Sequence, residues 1–289
     1  MAVRPVFLPS SRSPYRISWN AEFTYNSGFA VSQKQKNITA IHRVFQTAFP
    51  ERNILEISSK SMQEGGSELS AFHLLKYVPS LGRSIPLENV FQAGKVFQKG
   101  GPFTDLLDVS PREAKRDPRL RESGPLTEFR FEGQVFPLRP ATVFYDFLYI
   151  NALLENEDLA KIVLKYDAFT DIEFNPEKSL NCQAKSAALF VSLHRAGLLD
   201  KAADFQEFLG LFLRNTPVQP AMPSVPADNR PAAAPEQPAV LQPGTKIQHK
   251  IWAEGTVTAV SGTTATISFP SVGEKKLGID WILKNCTIL

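Results

Sequence analysis

Apolar residues recur at helical spacing through much of residues 86–214. Over residues 86–99 they fall three or four positions apart, which predicts an amphipathic helix with a proline in its first turn. The sequence Ser-Pro-Arg-Glu at residues 110–113 has the capping-box pattern, so another helix is expected to begin there. Similar patterns predict a short strand over residues 53–59 and helices over residues 141–155, 157–166, 181–195 and 200–214.

The pattern changes after residue 214. Residues 215–244 carry eight prolines among alanine, glutamine and valine, a composition that buries no core and is typical of an extended linker. Beyond it, apolar and polar residues alternate over 256–260 and 265–269, with glycine-containing turns between the runs, which predicts a small, strongly bent β-barrel. The expected fold class is α+β: a mainly helical domain with a small sheet over residues 1–214, a linker over 215–244 and an all-β domain over 245–289.

Composition places the chain among ordinary globular proteins. Of 289 residues, 43% are hydrophobic and 21% are charged, which excludes wholesale disorder. The excess of 32 basic over 29 acidic residues is too small to indicate a polybasic nucleic-acid coat. Two cysteines far apart in the sequence fit a reducing compartment, and no apolar run is long enough to cross a membrane. A soluble, cytoplasmic protein without a membrane partner is expected.

Several catalytic classes lack their motifs. The four histidines are isolated, with none of the spacings typical of zinc sites, and neither a phosphate-binding loop nor a serine nucleophile elbow is present. The groups that remain for chemistry are carboxylates, amides and amines. They favour a reaction that needs no metal and no cofactor.

One narrow polar face of the 86–99 helix carries Glu88, Gln92 and Lys95, spaced four and three residues apart. Two interpretations fit this spacing. The face is either a solvated surface with a Glu–Lys pair or the wall of a cleft lined by a carboxylate, an amide and an amine.

Three segments taken in order resemble the NADAR superfamily: residues 68–72 (ELSAF), 85–97 (IPLENVFQAGKVF) and 114–116 (AKR). Members of that superfamily typically show an L/F-S-N-F segment, then P-T-x-E-H-x-F-Q-A-x-K-F, then A-K/R-x-x-G-R. The resemblance extends over residues 54–195. It departs from the pattern at Ala71, which replaces an asparagine, at Asn89, which replaces a histidine, and after Lys115, where the glycine is missing.

Residues 28–38 and 55–61 resemble the branch of this superfamily that is encoded beside DarT-type toxins, where the NADAR protein acts as antitoxin. The resemblance implies an N-glycosidase that removes ADP-ribose from guanine bases of ADP-ribosylated DNA, with ADP-ribose as product and a cognate toxin as partner. Two alternatives stay open. One is an N-glycosidase that acts on ribosylated small metabolites such as riboflavin-pathway intermediates, and the other is a non-catalytic module that binds ADP-ribose or protein.

The chemistry of such a reaction suggests roles for three residues. Cleavage of a ribosyl C–N bond develops positive charge at the anomeric carbon, which a neighbouring carboxylate stabilises. Glu88 is the expected carboxylate. A lysine of lowered pKa would instead attack that carbon and form a Schiff base with the opened ribose, and the candidates are Lys60 and Lys95. Lys60, in a serine-rich turn after the predicted strand, equally fits an ordinary loop lysine.

Other residues are candidates for ligand contacts, each with a structural alternative. Asp171 and Glu173 provide either a second acid or favourable charges at a helix start, Asn181 is also a natural helix cap, and Phe72 stacks on a base or packs in the core. The predicted ligand-binding residues are Ser70, Phe72, Phe91, Gln92, Asp171, Glu173, Asn181 and Gln183.

The basic residues are interspersed with acidic ones, so their plain interpretation is a mixed solvated surface. The alternative is contact with a pyrophosphate or a DNA strand, which arginine recognises with its forked geometry. The candidates for nucleic-acid or phosphate contact are Lys34, Lys36, Arg112, Lys115 and Arg116.

The C-terminal tail has a resemblance of its own. His249, residues 253–257 (AEGTV) and residues 273–277 (GEKKL) are similar to the Tudor-like, SH3-type barrel at the end of UvrD-type helicases. In that family the module docks partners, so the tail is expected to bind a partner that the sequence does not identify.

Overall fold

A computed structural model describes residues 1–177, 179–213, 243–249, 253–261, 264–270, 273–279, 282 and 286–288. The chain forms two compact units, Met1–Pro220 and Ala221–Leu289. Residues 215–242 of the predicted linker lie outside the described residues, so the linker and its boundaries stay predictions. Among the described helices, none combines the length and the apolarity that crossing a membrane would need.

The first unit is built on a four-stranded sheet in the order β2-β1-β9-β3. Strand β1 pairs antiparallel with both β2 and β9, whereas β3 runs parallel to β9 with Glu56 opposite Thr170. The carboxyl ends of β3 and β9 therefore meet at one edge of the sheet. The strands are β1 (Ala2–Pro9), β2 (Arg16–Phe23), β3 (Ile54–Glu56) and β9 (Ala168–Thr170).

Side chains alternate between the two faces of this sheet, as the pleat requires. Val6 and Leu8 pack with Ile38, Ile41 and Phe45 of the first helix in one core. Phe7, between them, joins the main core, which contains most of the buried side chains of the fifth and seventh helices. The helices are α1 (Val31–Ala48), α2 (Leu87–Ala93), α3 (Pro111–Arg116), α4 (Arg119–Glu122), α5 (Val143–Glu155), α6 (Glu157–Val163), α7 (Gln183–Arg195) and α8 (Phe205–Leu213).

Two small sheets surround α2. The hairpin of β4 and β5 precedes the helix, and a three-stranded sheet in the order β6-β7-β8 follows it. Short 3-10 helices span Pro79–Leu81, Thr104–Asp108 and Leu199–Ala202. The strands are β4 (Leu75–Val78), β5 (Arg83–Pro86), β6 (Lys95–Phe97), β7 (Leu126–Phe131) and β8 (Gln134–Phe136).

The helix predicted over residues 86–99 is shorter than its apolar pattern suggests. It ends at Ala93 because Gly94 lies against the neighbouring strand: the backbone N–H of Arg130 donates to the Gly94 carbonyl at 2.7 Å. A Cβ at Gly94 would lie 2.7 Å from the Arg130 carbonyl oxygen, so only glycine allows this approach. The chain then continues as β6, which places Lys95 in a strand.

The other predicted elements are found with shifted ends. The capping box is confirmed: Ser110 Oγ accepts from the Glu113 N–H, and the Glu113 carboxylate accepts from the Ser110 N–H. The last predicted helix instead divides into a 3-10 turn and α8. Strands β1 and β2 and helix α1 had no sequence prediction.

In the second unit the described residues form a five-stranded antiparallel sheet in the order β13-β12-β11-β10-β14. Both predicted alternating runs are strands, and Val257, Ile267 and Phe269 are among the residues of its apolar core. The chain as a whole is α+β. The strands are β10 (Lys246–His249), β11 (Ala253–Ser261), β12 (Thr264–Phe269), β13 (Gly273–Gly278) and β14 (Cys286–Ile288).

Candidate active site

Glu88 lies in the first turn of α2, a helix whose side chains are all buried. Its backbone N–H donates to the Ala71 carbonyl at 2.8 Å, and the Leu87 N–H donates to the Leu74 carbonyl at 2.9 Å, which joins the helix start to the 68–74 segment. Leu87 and Val90 anchor the helix in the main core. As a result only 4% of the Glu88 surface remains exposed.

A hydrogen-bonded chain runs from Glu88 along the helix. The Gln92 amide donates to Glu88 Oε1 at 2.8 Å, and Lys95 Nζ donates to Gln92 Oε1 at 2.7 Å. The predicted shared face is therefore real, although Lys95 reaches it from β6. Glu88 and Gln92 are both buried, so this face is not the solvated surface that was one of the two interpretations.

A second lysine reaches Glu88 from α3. Lys115 Nζ lies 3.4 Å from Glu88 Oε1 and 5.1 Å from the centre of the Phe72 ring. Lys95 Nζ lies 4.8 Å from the centre of the Phe91 ring. Each ammonium group thus faces both a polar partner and an aromatic ring. The side chain of Lys115 is 56% exposed, whereas that of Glu88 is 6% exposed, so Lys115 forms the solvent-facing side of this cluster.

Burial lowers the pKa of Lys95 to about 8. The negative charge of Glu88 opposes this decrease, and the positive charge of Lys115 adds to it. At neutral pH most Lys95 side chains are protonated, and a minority carries a neutral, nucleophilic amine. A lysine in this state can either donate a proton or attack an electrophilic carbon.

Asp171 follows β9 at the sheet edge where the parallel strands end. Burial, reinforced by the charge of Glu56, raises the pKa of Asp171 well above its usual range, while Lys115 acts in the opposite direction. Lys115 is therefore within electrostatic reach of both Glu88 and Asp171. The predicted second acid is thus brought near the Glu88 cluster.

Tyr145 of α5 belongs to the same neighbourhood, and the sequence patterns did not indicate it. Its ring packs edge-on against Phe91, with 5.1 Å between ring centres. Burial raises the pKa of Tyr145 well above its usual value, and the charges of Glu88 and Asp171 contribute. The phenol therefore stays neutral at physiological pH. Tyr145 lies within a nearly continuous apolar run, where it cannot be told from a core residue.

A buried polar chain that sequence reasoning also missed holds the ends of β3 and β9 together. Glu56 is fully buried and accepts from the Ile172 N–H at 2.8 Å and from Thr170 Oγ1 at 2.6 Å. His42 Nε2 lies 2.9 Å from Thr170 Oγ1. Burial raises the pKa of Glu56 and lowers that of His42 to about 4. This chain fixes the backbone from which Asp171 projects.

Two of the predicted ligand-binding residues form hydrogen bonds within the protein. Gln183 accepts from the Ala71 N–H at 2.8 Å and donates to the Ile57 carbonyl at 2.7 Å, so its amide joins the segments that flank the cluster. Ser70 is buried, with its hydroxyl 3.3 Å from His73 Nδ1. Both residues thus form hydrogen bonds with the 68–74 segment, which is joined to the start of α2.

Among the described residues, no hydrogen bond or ion pair joins the remaining candidates to Glu88, Gln92, Lys95 or Lys115. Lys60 donates to Ser59 Oγ at 2.8 Å in the loop after β3, and exposed Glu173 forms a 3.7 Å ion pair with Lys34. Asn181 is half-buried just before α7, and Cys182 rather than Asn181 occupies the N-cap position of that helix, without a capping hydrogen bond from its side chain. Exposed positions are found for Lys36, Arg112 and Arg116.

Asn89 replaces the histidine that the resemblance would place next to Glu88. Its amide is fully buried and donates to the carbonyls of Leu106 and Val109 at 2.7 and 2.8 Å. These bonds anchor the segment that leads into α3. Asn89 therefore positions Lys115 indirectly, and both hydrogens of its amide group are used by these two carbonyls rather than by Glu88.

A comparison with protein families identifies the family of the first unit. The model of the DarT1-associated NADAR antitoxin family matches residues 2–221. No curated protein matches the chain. The family match covers the whole Glu88 neighbourhood and ends before the five-stranded sheet of the second unit.

Proposed function

The chain belongs to the DarT1-associated NADAR antitoxin family, and from this membership and the Glu88 cluster we propose that it is an N-glycosidase that removes ADP-ribose from guanine bases of DNA. The antitoxin role follows from membership of this family. The substrate is ADP-ribosylated DNA, ADP-ribose is the product, and a DNA ADP-ribosyltransferase is the cognate toxin. Because the toxin modifies DNA, we expect the antitoxin in the cytoplasm with it.

The buried carboxylate of Glu88 is the observation that supports this proposal. Hydrolysis breaks the bond between the anomeric carbon and a guanine nitrogen, and the carbon becomes positively charged as the bond lengthens. A carboxylate held in place by Gln92 stabilises that charge without reorganising. One such contact is worth about 3 kcal/mol, or a factor of hundreds in rate.

Lys95 serves the other half of the reaction. In one course its ammonium group donates a proton to the departing guanine nitrogen, a water molecule adds to the anomeric carbon, and the neutral amine then takes the proton that this water loses. In the other, the neutral amine attacks that carbon and displaces guanine, which leaves with one amine proton. The second amine proton passes to the ring oxygen as the ribose opens to a Schiff base, and water then hydrolyses the Schiff base to ADP-ribose and the free amine. Its pKa of about 8 is compatible with both courses.

The carboxylate role is tested with Glu88→Gln, which keeps the size of the side chain and removes its charge. Purified protein is incubated with an ADP-ribosylated guanine oligonucleotide, and the products are measured by mass spectrometry. The variant is expected to release ADP-ribose at least about a hundredfold more slowly. Glu22→Gln, at an exposed position on β2, is the matched control and should react at the wild-type rate.

The same assay separates the alternatives. A wild-type protein that leaves the oligonucleotide intact but hydrolyses ribosylated riboflavin-pathway intermediates would be a metabolite N-glycosidase. A protein that protects modified DNA only in stoichiometric amounts, and does so equally with glutamine at position 88, would be a binding module. A normal rate for Glu88→Gln would refute the carboxylate role.

We further propose that the second unit is a Tudor-like barrel that docks a partner. Its antiparallel sheet and apolar core are compatible with that architecture. Removal of residues 215–289 should leave the rate on short oligonucleotides unchanged, since the family match is nearly complete without them. A large loss of rate would instead give the second unit a part in catalysis.

A further inference from the structure

Helix α1 carries an unusual charge pattern. Its eighteen residues include Lys34, Lys36 and Arg43 and no aspartate or glutamate. Ile38, Ile41 and Phe45 pack onto the sheet. The polar residues at positions 32, 36, 39, 43 and 46, three or four apart, share another side of the helix.

A groove runs along that polar side. It consists of two adjoining cavities of about 440 and 300 Å³, which share Thr39, Arg43 and Met62. Lys36 lines the larger cavity and His42 the smaller one.

The walls of the groove are fixed by hydrogen bonds. Asn37 accepts from the Asn26 N–H at 2.7 Å and donates to the Asn26 carbonyl at 2.9 Å, which ties the segment before the helix to its side. On the opposite wall Gln63 accepts from the Glu56 N–H and donates to the Ile54 carbonyl, which holds the loop with Met62 against β3. The groove is thus built into the fold.

The positive charge of the groove is not neutralised within the part of the chain that the structure describes. No lining residue of either cavity is acidic, and Lys36 and Arg43 form no ion pair with any described residue. Lys34, by contrast, is paired with Glu173 and does not line either cavity. Two unpaired cations among amide side chains favour a ligand with regularly spaced negative charges, such as a phosphodiester chain.

Exposed aromatic residues lie beside the groove. Phe29 is fully exposed and Tyr25 is partly so; Tyr25 directly precedes Asn26, and Phe29 lies between Asn26 and α1. Aromatic faces next to cations are typical of proteins that stack the unpaired bases of a single strand. Paired bases in a duplex would not be accessible to these rings. The combination therefore favours single-stranded nucleic acid.

The groove also lies at the edge of the sheet from which Asp171 projects. Met62 and Gln63 belong to the loop that follows β3, while Asp171 follows β9, and the carboxyl ends of these parallel strands meet at one edge of the sheet. Asp171 is within electrostatic reach of Lys115, which contacts Glu88. The groove therefore adjoins the sheet edge that carries Asp171, since His42 lines the smaller cavity and lies 2.9 Å from Thr170.

We propose that the groove between α1 and the loop containing Met62 binds the backbone of a single DNA strand that carries the modified guanine, with Lys36 and Arg43 contacting its phosphates. This inference rests on the proposed function for the identity of the strand. It adds the strand context of the substrate and a binding surface outside the Glu88 cluster.

The test is binding of a fluorescein-labelled oligothymidylate of about 20 nucleotides, measured by anisotropy over a salt series. Two phosphate contacts give a salt slope of about −1.4, so between about 50 and 200 mM salt the wild type should lose about sevenfold more affinity than Lys36→Ala/Arg43→Ala. The matched control is Arg12→Ala/Lys165→Ala, which removes the same two charge types from exposed positions. Arg12 lies in the turn after β1 and Lys165 precedes β9, so both are at the opposite edge of the sheet.

The control should bind like the wild type and keep its salt slope. Equal slopes for the wild type and Lys36→Ala/Arg43→Ala would overturn the proposal, and so would tighter binding of a duplex than of the single strand. On ADP-ribosylated substrates, the ratio of kcat/KM for a long oligonucleotide to that for a trinucleotide should fall in the groove variant only. Absence of hydrolysis with every substrate would refute the proposed function, while the binding result would still show whether the groove binds single-stranded DNA.

Discussion

Replacement of Lys95 by methionine tests whether burial of the Lys95 ammonium group lowers the free energy of unfolding. Lys95 is the buried amine of the hydrogen-bonded chain, and its pKa is about 8 in the folded protein against an ordinary value of 10.5. At 1.36 kcal/mol for each pKa unit, this difference corresponds to a cost of about 3 kcal/mol for holding the ammonium form in the fold.

The direction of the pH effect follows from proton binding. Below about pH 8 the amine is protonated in both the folded and the unfolded protein, and the folded state bears the full cost. Between about 8 and 10.5 the unfolded chain binds more protons than the folded protein, so stability increases with pH. From about pH 7 to pH 10 the wild type should gain about 2.5 kcal/mol relative to Lys95→Met, which lacks this titration.

Urea unfolding of both proteins at several pH values measures this difference, and other titrating groups cancel because both proteins carry them. Lys99→Met, at an exposed position beyond β6, should show no such pH-dependent difference. A constant difference between wild type and Lys95→Met across the range would refute the burial argument. The pH profile of kcat/KM distinguishes the two roles proposed for Lys95. A fall above about pH 8 indicates proton donation, and a rise indicates attack by the amine.

Two further predictions test the surroundings of the cluster. Lys115→Ala removes the cation 3.4 Å from Glu88 and should lower kcat/KM for the modified oligonucleotide about tenfold, whereas Arg121→Ala, an exposed change on α4, should lower it less than about twofold. Gly66→Ala would drive a Cβ into the hydroxyl of Ser61 and a backbone carbonyl, so urea unfolding should show a loss of about 1–3 kcal/mol. As the control, Gly210→Ala in α8 adds a Cβ that meets no atom within 4 Å and should stabilise the protein by about 0.5–1 kcal/mol. A Gly66→Ala protein as stable as the wild type would contradict the packing argument.

The sequence pattern was sufficient to predict the elements that depend on interactions between residues a few positions apart. The capping box at Ser110 needs only side chains three residues apart, so it could be identified without the fold. The spacing of Glu88 and Gln92 likewise put both on one side of a helix, and their hydrogen bond follows from that geometry. The end of α2 did not follow, because it depends on the approach of Arg130 to Gly94 from a distant strand.

The amino-acid sequence by itself determined the α+β class, the polar face of α2 and the family resemblance, since these are carried by residue order and short-range spacing. Only the tertiary structure showed that this face is buried rather than exposed to solvent and that Lys115 approaches Glu88. It also showed that Glu56, Thr170 and His42 form a buried chain. The physical reason is desolvation. Whether a carboxylate or an amine is perturbed depends on what packs around it, and those neighbours come from strands and helices far away in the chain.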